Sequence, residues 1–267
     1  MGDWLLNLPI PWMALVIFSA IYLLAAAIYL TVIRLAVDGR AARAFKALSP
    51  GMLPPLGIIF GLLVGFVAVQ VWNDFDRAKN AVANEASALR AILLLAEHLP
   101  DEQKSRLRAL VNSHIEEAVQ QEWPAMAEQR ATLATLPMTL MEALQVTLTL
   151  KPADDTQRTA QREMVNALER AMEAWRQRIV ISQSSISSVK WVAILLQGMC
   201  ALIAIAMVHS DNRLTCAIAL TLFATGIAIS VLMIATYTRP FTGDISVGPD
   251  LLQQVITSEP ADGTSLQ

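Results

Sequence analysis

Four stretches of this chain, residues 4–33, 47–73, 191–210 and 214–238, contain no Asp, Glu, Lys or Arg. A helix needs about 20 mostly apolar residues to cross hydrocarbon, so each stretch is long enough for a membrane span. The spans are expected at about 11–34, 53–73, 190–209 and 214–238. Between the second and third lies a polar block, 74–189, whose apolar residues recur at helical period. From Phe75 the stripe is Ala78, Val82, Ala86, Leu89, Leu93 and Ala96, ending at Leu99-Pro100. Asp101 is placed to cap a second helix with Leu107, Val111, Ile115 and Ala118 on one side, closed by Trp123-Pro124. A third helix is expected over about 131–150, although it contains Pro137. Asp154, Asp155 or Thr156 can cap a long helix from about 156, with the stripe Met164, Leu168, Ala171, Trp175 and Ile179.

The expected fold is an all-α membrane protein with four transmembrane helices and a helical extramembrane block inserted between spans 2 and 3. It divides into an N-terminal transmembrane hairpin (1–73), the block (74–189), a C-terminal hairpin (190–242) and a flexible tail (243–267). No Gly or Pro separates Val71 from Arg77, so the second span is expected to run on into the block as one helix. The stretch before the third span, SQSSISS at 182–188, is polar but can also be helical. The first stretch reads as a true span, because its apolar part exceeds a 7–15-residue signal-peptide core. Sidedness stays open. Arg34, Arg40, Arg43 and Lys46 argue that the 34–50 loop is cytoplasmic, whereas Arg77, Lys79, Arg176, Arg178 and Lys190 argue the same for the membrane edge of the block.

The second span carries the most specific pattern. Gly57, Gly61 and Gly65 recur every four residues, and one position along stands an apolar row, Ile58, Leu62 and Phe66. Residues four apart share a helix face. One face is thus bare backbone that lets a neighbouring membrane helix approach closely, and beside it runs a ridge of large side chains. Such a helix suits a narrow symmetric pore neck. It also suits an ordinary glycine-zipper contact inside a bundle, the commoner use.

Composition removes several function classes. The mean hydropathy is +0.47 and the hydrophobic fraction is 55%, above the ordinary soluble range of about 45–50%. A net charge of −3 excludes a strongly basic nucleic-acid binder. HExxH, Walker, CxxC and GxSxG motifs are all missing, so no catalytic residue, metal or cofactor is assigned. Cys200 and Cys216 fall in apolar spans at different depths and are not expected to pair. His98 ends a helix, His209 ends a span, and His114, beside Glu116 and Glu117, reads as part of a solvated face. With no charge inside any span, proton-coupled transport is disfavoured, whereas a pore gated by dewetting is not.

The run VGFVAVQVWNDFDRAKNAV resembles the pore-lining helix of bestrophins, with a Gly-Phe pair and then an aromatic and polar exit: Gln70, Trp72, Asn73 and Asp74. Further pieces are similar to a bacterial bestrophin-like family: Trp72-Asn73-Asp74-Phe75, Glu85-Ala86, Glu122-Trp123-Pro124 and, after the last span, Arg239-Pro240-Phe241-Thr242-Gly243. The likeness covers roughly residues 50–250. It implies an ion channel made of identical copies, five around one axis, in the bacterial inner (cytoplasmic) membrane. Ile58, Leu62 and Phe66 would line the neck, and Gly57, Gly61 and Gly65 would let neighbouring neck helices pack. The partners implied are the lipid bilayer, further copies of the chain and small inorganic ions, with anions favoured. The sequence departs from the family in having Val71 before Trp72, where an arginine is common, and the acidic calcium clasp of animal bestrophins is not evident. The alternative is a non-conducting membrane scaffold or sensor whose block binds a protein partner.

Overall fold

A computed structural model describes residues 3–37, 45 and 49–257. The expected basic-loop residues Arg40, Arg43 and Lys46 lie outside the described residues. Ten α-helices are described: α1 (Asp3–Leu6), α2 (Ile10–Val37), α3 (Leu53–Ala96), α4 (Asp101–Glu117), α5 (Trp123–Ala127), α6 (Met138–Thr149), α7 (Asp155–Ser182), α8 (Ser188–Val208), α9 (Arg213–Tyr237) and α10 (Asp250–Thr257). No strand occurs among the described residues, and four helices (α2, α3, α8 and α9) are long and apolar enough to cross a membrane. The chain is a multi-pass α-helical membrane protein.

It divides into two compact units. The first comprises Met1–Asn73, Ser185–Arg239 and Gly243–Ile245; the second comprises Asp74–Ser184, Pro240–Thr242 and Ser246–Gln267. Helix α3 is unbroken from Leu53 to Ala96, as the lack of Gly and Pro after Val71 predicts. The other junction differs. Helix α7 stops at Ser182, and Gln183 to Ser187 are not helical. Ser182 turns its hydroxyl back to Ile179 O at 2.7 Å, and such local side-chain bonds compete with helix continuation.

In the first unit, α3 buries Phe60, Val67, Ala68 and Val71. They pack with Met13, Ile17 and Ile21 of α2, Ile194 and Leu202 of α8, and Leu220, Ile227 and Val231 of α9. Phe60 meets Phe223 with ring centres 5.8 Å apart. The Tyr22 hydroxyl lies 2.9 Å from Thr225 Oγ1, which itself donates to Thr221 O, so Tyr22 donates and ties α2 to α9. After the last span, Arg239 Nη1 donates to Asn7 Oδ1 at 3.0 Å, and Asp244 Oδ2 accepts from Ile10 N at the start of α2 at 2.9 Å. A carboxylate there meets the positive end of the helix.

In the second unit, the residues of the predicted stripes on α4 and α7 are buried together. Asp154 caps α7 by accepting from Gln157 N at 2.7 Å. Asp101 does not cap α4: Pro100 occupies that position, and Asp101 lies in the first turn, where its charge still meets the helix dipole. Helix α6 begins only after Pro137, which leaves 131–136 irregular. The tail is ordered further than composition implied, because α10 buries Leu252 and Val255 in this core.

The second helix does not end at Trp123-Pro124. It passes through one π-helical turn, Ala118–Glu122, into α5. Pro124 has no N–H to offer Gln120 O, so the α-helical ladder cannot continue. The turn widens instead, and Trp123 N–H reaches back five residues to Ala118 O.

Gly198 on α8 shows where tight packing is used inside the first unit. A Cβ there would come within 3.2 Å of Ile227 Cδ1 and 3.5 Å of Phe60 Cε2. Overpacking such a contact costs about 1–3 kcal/mol. Gly198→Leu is expected to lower the melting temperature in detergent, whereas Gly226→Leu, at a position with nothing within 4 Å, is expected to leave it within a degree or two (roughly ±0.5 kcal/mol).

Candidate functional site

Two sets of residues stand out, one on the membrane-spanning part of α3 and one at the centre of the second unit. On α3 the side turned into the first unit is the Phe60, Val67 and Val71 stripe. The opposite side carries Ile58, Leu62 and Phe66, which are 69%, 57% and 68% exposed. A Cβ added at Gly57, Gly61 or Gly65 would meet nothing within 4 Å. Gly61 and Gly65 are exposed and, with the ridge, point away from the protomer core, whereas Gly57 is half-buried and lines a cavity with Ala201, Ile205 and Phe223. At the end of the apolar run, Gln70 accepts a hydrogen bond from Lys190 Nζ in the first turn of α8. Trp72 and Asn73 are exposed, and Asp74 is half-buried, 3.5 Å from Arg77.

The second set is built around Arg178, which is fully buried. Its Nε donates to Glu85 Oε2 at 2.8 Å and its Nη2 to Glu85 Oε1 at 3.0 Å, a two-pronged pair. Nη2 also donates to Glu122 Oε2 at 2.8 Å, and Nη1 lies 3.7 Å from Met126 Sδ. The guanidinium sits 4.6 Å from the centre of the Trp123 ring, within cation–π range. Glu122 Oε1 accepts from Trp175 Nε1 at 2.7 Å. His114 Nε2 lies 2.9 Å from Glu85 Oε1 and its Nδ1 3.2 Å from Thr139 Oγ1. The ionised carboxylate can only accept, so Nε2 donates to Glu85.

Burial pushes the Glu85 carboxyl up, but the Arg178 charge and the bond from His114 outweigh it and bring it from 4.5 down to about 2. Burial acts on Arg178 in the opposite direction, and Glu85 and then Glu122 hold it above its ordinary value. Thus Glu85 and Arg178 are both ionised in a dry interior.

The structure brings together several motifs that lie far apart in sequence. Glu85, Glu122 and Trp123 all converge on Arg178. Phe241 stands edge-on to Trp123 with centroids 6.0 Å apart, and Trp123 Nε1 donates to Val247 O at 3.0 Å. Pro240 O accepts from Val247 N at 2.7 Å, and Thr242 Oγ1 donates to Ala127 O at 2.7 Å. Gly243 takes a φ of +86°, which a side chain would resist. Arg239 is buried and belongs to the first unit, with Asn7. Two sequence expectations are corrected. His114 is buried, not solvated, and Arg178 is a core residue, not a charge at the membrane edge of the block. Both stand on apolar stripes, which was the available signal. Among the described residues no group of three or more His, Cys, Asp or Glu side chains is arranged to hold a metal ion.

Four spans, a helical block between the second and third, and an unsupported small-residue face on the second define a membrane protein of the bestrophin class. The family profile of the bestrophin-like domain matches residues 19–252, and the chain belongs to that family. The fold is that of a bacterial bestrophin homologue from Klebsiella pneumoniae. A tryptophan-to-alanine variant of it aligns with TM-score 0.68 and 14% identity, over 90% of this chain and 95% of that one. A leucine-to-threonine variant aligns with TM-score 0.66 and 15% identity, over 88% and 96%. A structure described as a membrane protein with a proline-to-alanine change gives TM-score 0.69 and 14% identity, over 89% and 96%. No curated protein matches the chain.

Removing one partner of a buried ion pair costs about 3–5 kcal/mol. Arg178→Ala is expected to unfold the second unit at ordinary temperature, and Arg178→Lys to restore little, because an ammonium lacks the planar fork. Thermal melts of the two variants check this. The acid response has a definite sign. A carboxyl lowered in the folded state contributes stability above its ordinary 4.5, and that contribution is lost as pH falls through about 2. Tryptophan fluorescence should report a transition in that window, and Glu85→Gln should flatten it.

Proposed function

We propose that the chain is a homo-oligomeric ion channel of bestrophin type in the bacterial inner membrane, with α3 from each copy surrounding a common pore. The observation that carries this reading is the outward ridge of Ile58, Leu62 and Phe66 beside Gly61 and Gly65, which are exposed and have open space around them. Five copies would give each glycine face a neighbouring helix and each ridge a place on the axis. Family membership supports the channel class.

An apolar neck with no fixed charge favours ions that lose water cheaply. Iodide and nitrate are therefore expected to permeate better than chloride, measured as bi-ionic reversal potentials in liposomes or planar bilayers. Leu62→Ala widens or wets the constriction and should raise single-channel conductance; an unchanged conductance moves the constriction elsewhere. Cysteines at 58, 62 and 66 should react with water-soluble thiol reagents in the reconstituted protein. Gly61→Val is expected to leave the protomer folded and reduce the subunit count seen by native mass spectrometry. A monomer without ion flux would favour the scaffold alternative.

A further inference from the structure

The neck carries no formal charge, so beyond dehydration its sign preference is open to fixed charge placed at its ends. Gln70 stands four residues beyond Phe66, one helical turn and about 6 Å along the axis. It continues the spacing of Ile58, Leu62 and Phe66. Lys190 Nζ donates to its side-chain oxygen, so an ammonium is anchored where the apolar run of α3 ends. Lys190 is partly buried. Its placement is unusual for a helix: it sits in the first turn of α8, where the backbone already presents positive charge, and a cation there is opposed by the macrodipole. Ser187 at the head of α8 makes no side-chain cap bond that would offset this. Lysine and helix end therefore add to one positive field.

From these positions we infer that Lys190, held by Gln70, is the residue that biases this pore toward anions at the exit of its neck. This rests on the pore reading above. The nearby acidic residues oppose it less. Asp74 is paired with Arg77 at 3.5 Å. Asp76 is exposed, so its field is screened within about 8 Å at physiological salt. A tethered, partly buried ammonium is screened less. Lys190 acts through its field on the permeating ion and needs no bound ligand.

The test is the anion-to-cation permeability ratio of the reconstituted full-length protein, from reversal potentials across a potassium chloride gradient. Lys190→Gln is expected to lower the ratio by about threefold or more, Lys190→Glu to lower it further, and Lys190→Arg to keep it. Asp76→Asn should move it less than Lys190→Gln. The wild-type preference itself should shrink between 0.1 M and 1 M salt, as the screening length falls from about 10 Å to about 3 Å. That last measurement needs no variant to fold. A ratio unchanged in Lys190→Gln, a larger shift in Asp76→Asn, or a wild-type preference insensitive to salt overturns the assignment. Loss of all current in the wild type would instead overturn the pore reading, so the two failures are distinguishable.

Discussion

A guanidinium with no access to water has to be surrounded by acceptors, and Arg178 takes its own from two carboxylates that lie on different helices. Glu85 comes from α3, Glu122 from the π turn after α4, and Trp123 from α5 covers the flat face. Trp175 of α7 takes the remaining oxygen of Glu122, and His114 of α4 adds a second donor to Glu85 Oε1. The bonds are directional and the charges buried, so a shift of any of these helices by a fraction of a turn would strand an ion. Hydrophobic contacts among Leu89, Leu107, Met164 and Leu168 supply compaction without that precision. The ion cluster gives the second unit its register, and the apolar stripes give it its bulk.

Pro124 explains why Glu122 is available. An α-helix that continued undisturbed past Ala118 would have offered Gln120 O to the N–H of residue 124. Proline has none, and the chain adds a residue to the turn. Glu122, the last residue of the widened turn, and Trp123, the next, both serve Arg178 before Met126 returns to the buried stripe. A backbone defect thereby sets a carboxylate beside a cation. The two classes of glycine in the membrane unit follow a similar logic of position. Gly198 is filled against by Ile227 and Phe60, whereas a side chain begun at Gly57, Gly61 or Gly65 would enter open space. On the pore reading, the exposed part of that face is where a helix from another copy would pack.

Hydrophobic pattern alone carried the four spans and the stripes on α3, α4 and α7, because each span or stripe is long and its period unambiguous. The breaks were harder to read. SQSSISS has no Gly or Pro, so only the turned-back Ser182 and the observed end of α7 reveal that it is not helical. The tail looked loose because Gly243, Gly248 and Pro249 dominate it, while the two residues that dock α10, Leu252 and Val255, are too few to register as a period. Arg178 and His114 were assigned to solvent by residue type. Their positions said otherwise: Arg178 is three residues after Trp175, and His114 three after Val111, each within a buried face. Glu85 falls in the same way between Val82 and Leu89. Three ionisable groups of complementary charge on three apolar faces are a legible sign of a buried cluster, but pairing them requires the tertiary fold.

The division of chemistry along α3 is the last step. Its first part carries no charge and buries one face with ordinary apolar contacts; its second part carries Glu85 into the core to pair with Arg178. One continuous helix thus serves two media, and each part uses the residue types its medium tolerates. Hydrocarbon disfavours a fixed charge by several kcal/mol, and α3 carries none before its apolar run ends. Gln70 is the first residue of α3 at which a polar side chain is bonded to a charged partner, Lys190 of α8. On the pore reading, dehydration acts along the ridge and charge acts at its end. The two effects can then vary separately, since the residues responsible lie on different helices.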